Sequence, residues 1–226
     1  MRDQLIDRRR VLVTGAGAGV ALAVAPVPVL SGTARAADPG HGSVWNGARS
    51  ANGWPVLERA DELGIEGSGR SVRLAPGDAA VLLLHVARRF HYEIDQLRED
   101  DVRGHTTSRH IVERYESNHL SGTALSVRAD AYPVGVKGGL YPHELVVVRD
   151  IVAELDGAVA WGGDFATPKE SHFEIAHRPG HPKVKGVARK IRGWDAGPGG
   201  RGAGATDAFD PERRARARSF SARRRG

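Results

Sequence analysis

The sequence contains no cysteine. That excludes a disulfide framework, a zinc ribbon, an iron–sulfur site and a thiol nucleophile, so any metal would have to sit on His, Asp or Glu. No internal repeat is visible either, which argues against a solenoid or a propeller. The body of the chain also lacks a charge excess. The 226 residues carry a formal net charge of +6. However, the first 36 residues hold five Arg against two Asp, and the stretch from Arg201 holds eight Arg against three acids. Between them lie 20 basic and 22 acidic residues. A near-neutral body is no strong binder of polyanions, and nucleic acid is not an expected partner. Without its ends the chain is long enough for one domain with a proper core.

The N-terminus reads as an export signal rather than as fold. Arg8, Arg9 and Arg10 precede Val11 and Leu12, and an apolar run to Leu30 follows, diluted by Gly15, Gly17, Gly19, Pro26 and Pro28. Ala34-Arg35-Ala36 then supplies a small-x-small cleavage site. Paired arginines and a glycine-rich apolar core favour the twin-arginine route, which carries folded proteins. The expectation is a signal peptide over 1–36, an exported or wall-associated product, and no membrane span after cleavage. An uncleaved anchor is the alternative, since the run is about long enough to span.

The rest divides by composition and periodicity. Residues 37–51, rich in Gly, Asn and Ser, read as a linker. Asn52-Gly53-Trp54-Pro55 opens a domain running to residue 196. Ser71 to Leu74 alternates as a strand. Asp78 is placed as the N-cap of a helix whose stripe is Leu83, Val86, Ala87, Phe90 and Ile94. His85 and His91 lie off that stripe and read as surface polar partners. Thr123–Ala129, Ala158–Trp161 and His172–Ile175 read as strands. Pro142 starts a second helix with Leu145, Val148, Ile151, Val152 and Leu155 on its core face, stopped by Asp156-Gly157. A last helix covers Pro182–Trp194. The fold class expected is α+β, a small antiparallel sheet backed by helices. Residues 197–226, rich in Arg and Gly, read as a disordered tail able to touch anionic wall polymer or lipid.

Two stretches carry the histidines that look like chemistry. One is Ser117-Asn118-His119-Leu120-Ser121-Gly122-Thr123-Ala124-Leu125-Ser126. The other is Trp161-Gly162-Gly163-Asp164-Phe165, followed by Glu170-Ser171-His172-Phe173-Glu174. In each, a histidine sits beside small residues in an alternating segment, which suits a group held at a sheet edge. His105, His110, His143 and His177 have no such setting.

Together these stretches resemble the M15 zinc peptidases, the family of D-alanyl-D-alanine carboxypeptidases and endolysins. The family's first motif, S-x-H-x-x-G-x-A-x-D, is matched in register by Ser117, His119, Gly122 and Ala124. Its second, W-G-G with a later acid before H-F-E, is matched by Trp161, Gly162, Gly163, Glu170, His172, Phe173 and Glu174. The resemblance implies a Hedgehog/DD-peptidase-type fold, with zinc on His119 and His172 and Glu170 as general base. The implied substrate is the peptide stem of peptidoglycan, oriented by Ser117 and by an arginine such as Arg103 or Arg109. The family's Asp ligand falls on Ser126, whose hydroxyl supplies neither charge nor a strong hard ligand. Asp130 lies four strand residues on, roughly 13 Å away, against a metal–ligand bond of about 2 Å. Asp164 is the better substitute. The alternative expectation is a non-catalytic descendant that binds wall peptide or a partner.

Overall fold

The computed structural model describes residues 42–196 and 206–225. The signal segment and the first residues of the expected linker lie outside the described residues. The architecture is α+β. Strand β1 (Ser43–Val44) pairs antiparallel with β5 (His110–Ile111). Strands β2 (Asp61–Ile65) and β3 (Arg70–Leu74) form a hairpin. Helix α1 spans Asp78–Glu93. Strand β4 (Val102–Arg103) is followed, after β5, by a 3-10 helix at Arg114–His119, then β6 (Ala124–Val127). Helix α2 (Pro142–Glu154), β7 (Val159–Trp161), β8 (His172–Ile175), α3 (Pro182–Ala196) and α4 (Pro211–Arg225) complete the order. The main sheet runs β4-β6-β8-β7, with every neighbouring pair antiparallel. Among the described residues no helix is long and apolar enough to cross a membrane.

The expected periodicities carry the core. Leu83, Val86 and Phe90 of α1, Val148, Ile151 and Leu155 of α2, and Val184 and Ile191 of α3 are buried in one cluster with Leu125, Trp161 and Phe173 of the sheet. Strand β8 occupies the residues its alternation marks out. Strand β6 stops at Val127 because Arg128 takes a left-handed backbone, φ 55°. Helix α2 begins on Pro142 and is closed by Asp156 and Gly157, both at positive φ.

Four expectations are corrected. The lead-in from Gly42 is not a linker: it carries β1, the Trp45 amide donates to the Arg109 carbonyl, and Ser50 is buried. Its partners lie more than 60 residues away, beyond the reach of local composition. The cap of α1 is Gly77 at φ 83°, with no side-chain cap; Asp78 sits in the first turn, where its charge suits the helix dipole, and accepts from Arg192 of α3. His85 is no surface residue, because α1 is buried nearly all round: its Nε2 meets Glu154 at 2.8 Å in the interior. The stretch expected as a disordered tail contains α4, whose Ala217 and Phe220 are buried and whose Arg213 reaches Asp150 and Glu154.

Candidate functional site

His119 ends the 3-10 helix, and His172 opens β8 directly across from Ser126 on β6. This cross-strand register puts Ser126 and His172 on one face of the sheet. The His119 ring meets that of His172 edge-on, the centroids 5.3 Å apart. Two motif glycines permit the approach. Gly122 has φ 65°, and a Cβ there would fall 2.5 Å from the Ala75 amide nitrogen. A Cβ on Gly162 would fall 2.4 Å from the Lys169 carbonyl oxygen and 3.0 Å from the His172 Cβ.

The partners settle the tautomer of His119. His119 Nδ1 lies 2.7 Å from the Gly104 carbonyl, which can only accept, so Nδ1 carries the proton. Its Nε2 is therefore a lone pair, and the Ser126 hydroxyl donates to it across 3.1 Å. His172 Nε2 donates to the Glu174 carboxylate at 2.9 Å, and Asn118 donates to the same oxygen at 2.6 Å. His172 Nδ1 is buried and without a partner. A carboxylate or carbonyl behind each imidazole is how metal-ligating rings are usually oriented. Burial first, then the neighbouring His172 and Lys169, hold the His119 pKa down to about 3, so this ring stays neutral.

The rest of the donor set is absent. Among the described residues no group of three or more His, Asp or Glu side chains could hold a metal. Asp130 pairs with Arg103, and Asp164 is bound by Arg149 at 2.6 Å, so neither substitutes at position 126. Glu174 is already taken up by His172 and Asn118, and the charge that weighs on His119 is a cation: Lys169, which donates to Glu116 at 2.7 Å, lowers its pKa electrostatically. Two imidazoles, a neutral hydroxyl and an adjacent ammonium do not fit a resident zinc.

Glu170 is not aimed at this pair. It is buried, one oxygen accepting from the Gly138 amide at 2.9 Å and the other from Gly139 and Leu140 at 2.8 and 3.3 Å. It ties down the glycine-rich loop before α2. Ser117 is fully buried and accepts from the Ala51 amide while donating to the Arg114 carbonyl, so it anchors the lead-in. Arg103 sits on β4 opposite Ser126 but is half exposed and paired with Asp130. Arg109 donates to the Trp45 and Gly47 carbonyls. Of the expected site residues, the structure thus brings together His119, His172 and Ser126, and gives the other four structural partners.

Residues without a motif pack against the pair. Tyr115 and Phe165 pack at a tilt of 55° with centroids 4.9 Å apart, and their rings lie 5.0 and 6.1 Å from that of His172. Burial and the charges of Glu116 and Glu113 push the Tyr115 hydroxyl well above its usual pKa, and it donates to the Thr167 carbonyl. Tyr115 lies two residues before Ser117, and only its aromaticity beside the motif could have signalled this role. His172 is fully buried and His119 is 8% exposed, so the pair is almost wholly shielded from solvent. Compared with models of protein families, with curated proteins and with solved structures, the chain matches none of them.

Proposed function

We propose that this chain is an exported, non-catalytic relative of the M15 peptidases, which binds the stem peptide of the cell wall at the surface over His119 and His172. The observation that carries this reading is the Ser126 hydroxyl donating into His119 Nε2. The lone pair a metal would need is satisfied internally, and among the described residues no carboxylate joins the two imidazoles in a set able to hold a metal. An acid committed to three backbone amides, as Glu170 is, adds support, since a general base must reach its proton. The twin arginines and the Ala34-Arg35-Ala36 site support export.

The zinc hydrolase reading draws on one observation, the unpartnered Nδ1 of buried His172. One experiment separates the two. The full chain is titrated with zinc and with a synthetic stem peptide ending in D-alanyl-D-alanine; bound metal, bound peptide and cleaved peptide are each measured. The expected result is peptide binding with substoichiometric zinc and no cleavage. Cleavage that depends on added zinc would overturn the proposal in favour of the hydrolase, and no peptide binding would remove both.

A further inference from the structure

Helix α4 lies along α2, and a groove of about 500 Å³ separates them. That volume is within the range of small-ligand sites. Leu145, Val146 and Ala217 give it an apolar floor; Arg149 of α2 and Arg214 and Arg218 of α4 edge it, and no acidic residue lines it.

The arginines of α4 divide into two kinds. Arg213 turns inward and is bound by Asp150 and Glu154 at 2.5 and 2.9 Å. Arg214 and Arg218, one turn apart on the groove side, are exposed, and no carboxylate among the described residues pairs with either. Arg149 is already fixed, bound to Asp164 and packed over the Trp161 ring at 4.6 Å. The groove therefore has one rigid cationic edge and one with two open guanidinium forks. Leu145 and Val146, both half-buried, leave apolar surface facing water between the edges.

A polyanion would satisfy the guanidiniums and leave the floor wet. A neutral hydrophobe would cover the floor and leave the guanidiniums idle. A ligand with an anionic head and an apolar body meets both demands. We propose that the α2–α4 groove docks an anionic phospholipid at a membrane surface, its phosphate held by Arg214 and Arg218 and an acyl segment laid over Leu145, Val146 and Ala217. Guanidinium groups suit a phosphate because they bind it through paired N–H donors. Apolar burial combined with attraction to anionic lipid is how surface helices hold a bilayer without spanning it. This site shares no residue with the histidine pair, so the two proposals stand or fall separately.

The test is co-sedimentation of the full chain with phosphatidylcholine vesicles, with and without phosphatidylglycerol. Binding is expected only with phosphatidylglycerol, falling as salt is raised. The double variant Arg214→Glu, Arg218→Glu should weaken it by roughly tenfold or more, as expected for charges at an anionic surface. Val146→Asp should weaken it too, while thermal melting shows each variant folded. The control reverses Arg216 and Arg223, exposed residues of α4 outside the groove lining. An equal loss in that control would reduce the effect to a general basic tail and overturn the site. So would wild-type binding by the groove double variant or by Val146→Asp. Displacement from vesicles by a soluble glycerol-phosphate polymer would reassign the groove to wall polymer.

Discussion

At position 126 a neutral hydroxyl donates to an imidazole lone pair, and the buried Nδ1 of His172 has no partner. Ser126→Asp replaces the donor with an anion facing both rings, an arrangement that favours a cation between them. Its zinc affinity should exceed that of the wild type by at least about tenfold, the lower end of what even an outer-shell partner contributes. Competition with a chromogenic chelator measures it, and equal affinities would show that burial and Lys169 bar a metal whatever stands at 126. Glu170 gives a second test. Glu170→Gln keeps the size but turns one acceptor into a donor facing backbone N–H groups, so stability should fall by about 1–3 kcal/mol in urea unfolding. A catalytic base would behave oppositely, losing activity at unchanged stability. The two histidines were legible in the sequence because their spacing from small residues is local. The work of Glu170 was not, because its partners lie about 30 residues upstream in a loop with no pattern of its own.

Strands and helices whose partners sit nearby, or whose buried stripe is regular, were readable: β8, α2 and α3 follow from alternation and three- to four-residue steps. Helix α4 was not. Its arginines resemble a solvated run until Asp150 and Glu154 are placed opposite Arg213, 63 and 59 residues earlier in the chain. The same reason hides His85 and Arg89, which a stripe drawn on α1 alone assigns to the surface. These groups form one buried network: Glu154 accepts from His85 and Arg89 of α1 and from Arg213 of α4, and its main-chain carbonyl accepts from Lys190 of α3. Burial alone would raise the Glu154 pKa, but His85, Arg89 and Arg213 together hold it well below its ordinary value near 4.5. A carboxylate with a depressed folded pKa stabilises the fold above its unfolded pKa, and that contribution is lost as pH falls through the folded value. Arg213→Ala should therefore cost about 3 kcal/mol at neutral pH, the scale of breaking one side of a buried pair. It should also move the acid-unfolding midpoint upward, because the folded pKa of Glu154 rises toward the unfolded one. Circular dichroism across an acid titration reads both effects, and coincident curves for variant and wild type would place Arg213 outside the network.

For the molecule as a whole, the net charge of +6 is the sum of a near-neutral body and two basic ends. The basic C-terminal end belongs to the folded unit. Four carboxylate-side and guanidinium-side members, Arg89, Glu93, Asp150 and Glu154, carry one positive and three negative charges in or near the interior. Arg213 brings that set closer to neutrality, and Phe220 covers the end of α2 near Gly157. A chain ending at residue 196 would lose both contributions and leave Asp150 and Glu154 to share Arg89 as their one guanidinium partner among the described residues. Losing Arg213 costs about 3 kcal/mol, and re-exposing a Phe costs about 1.5–3 kcal/mol. A domain of this size loses about 2–4 °C of Tm per kcal/mol. Truncation should therefore lower Tm by about 10–20 °C, and a differential scan of the two chains measures it. A disordered appendage would leave Tm where it was, so an unchanged melting curve would detach α4 from the fold. With it would go the α2–α4 groove, half of whose wall is α4, and vesicle binding by the truncated chain would then have to come from some other surface.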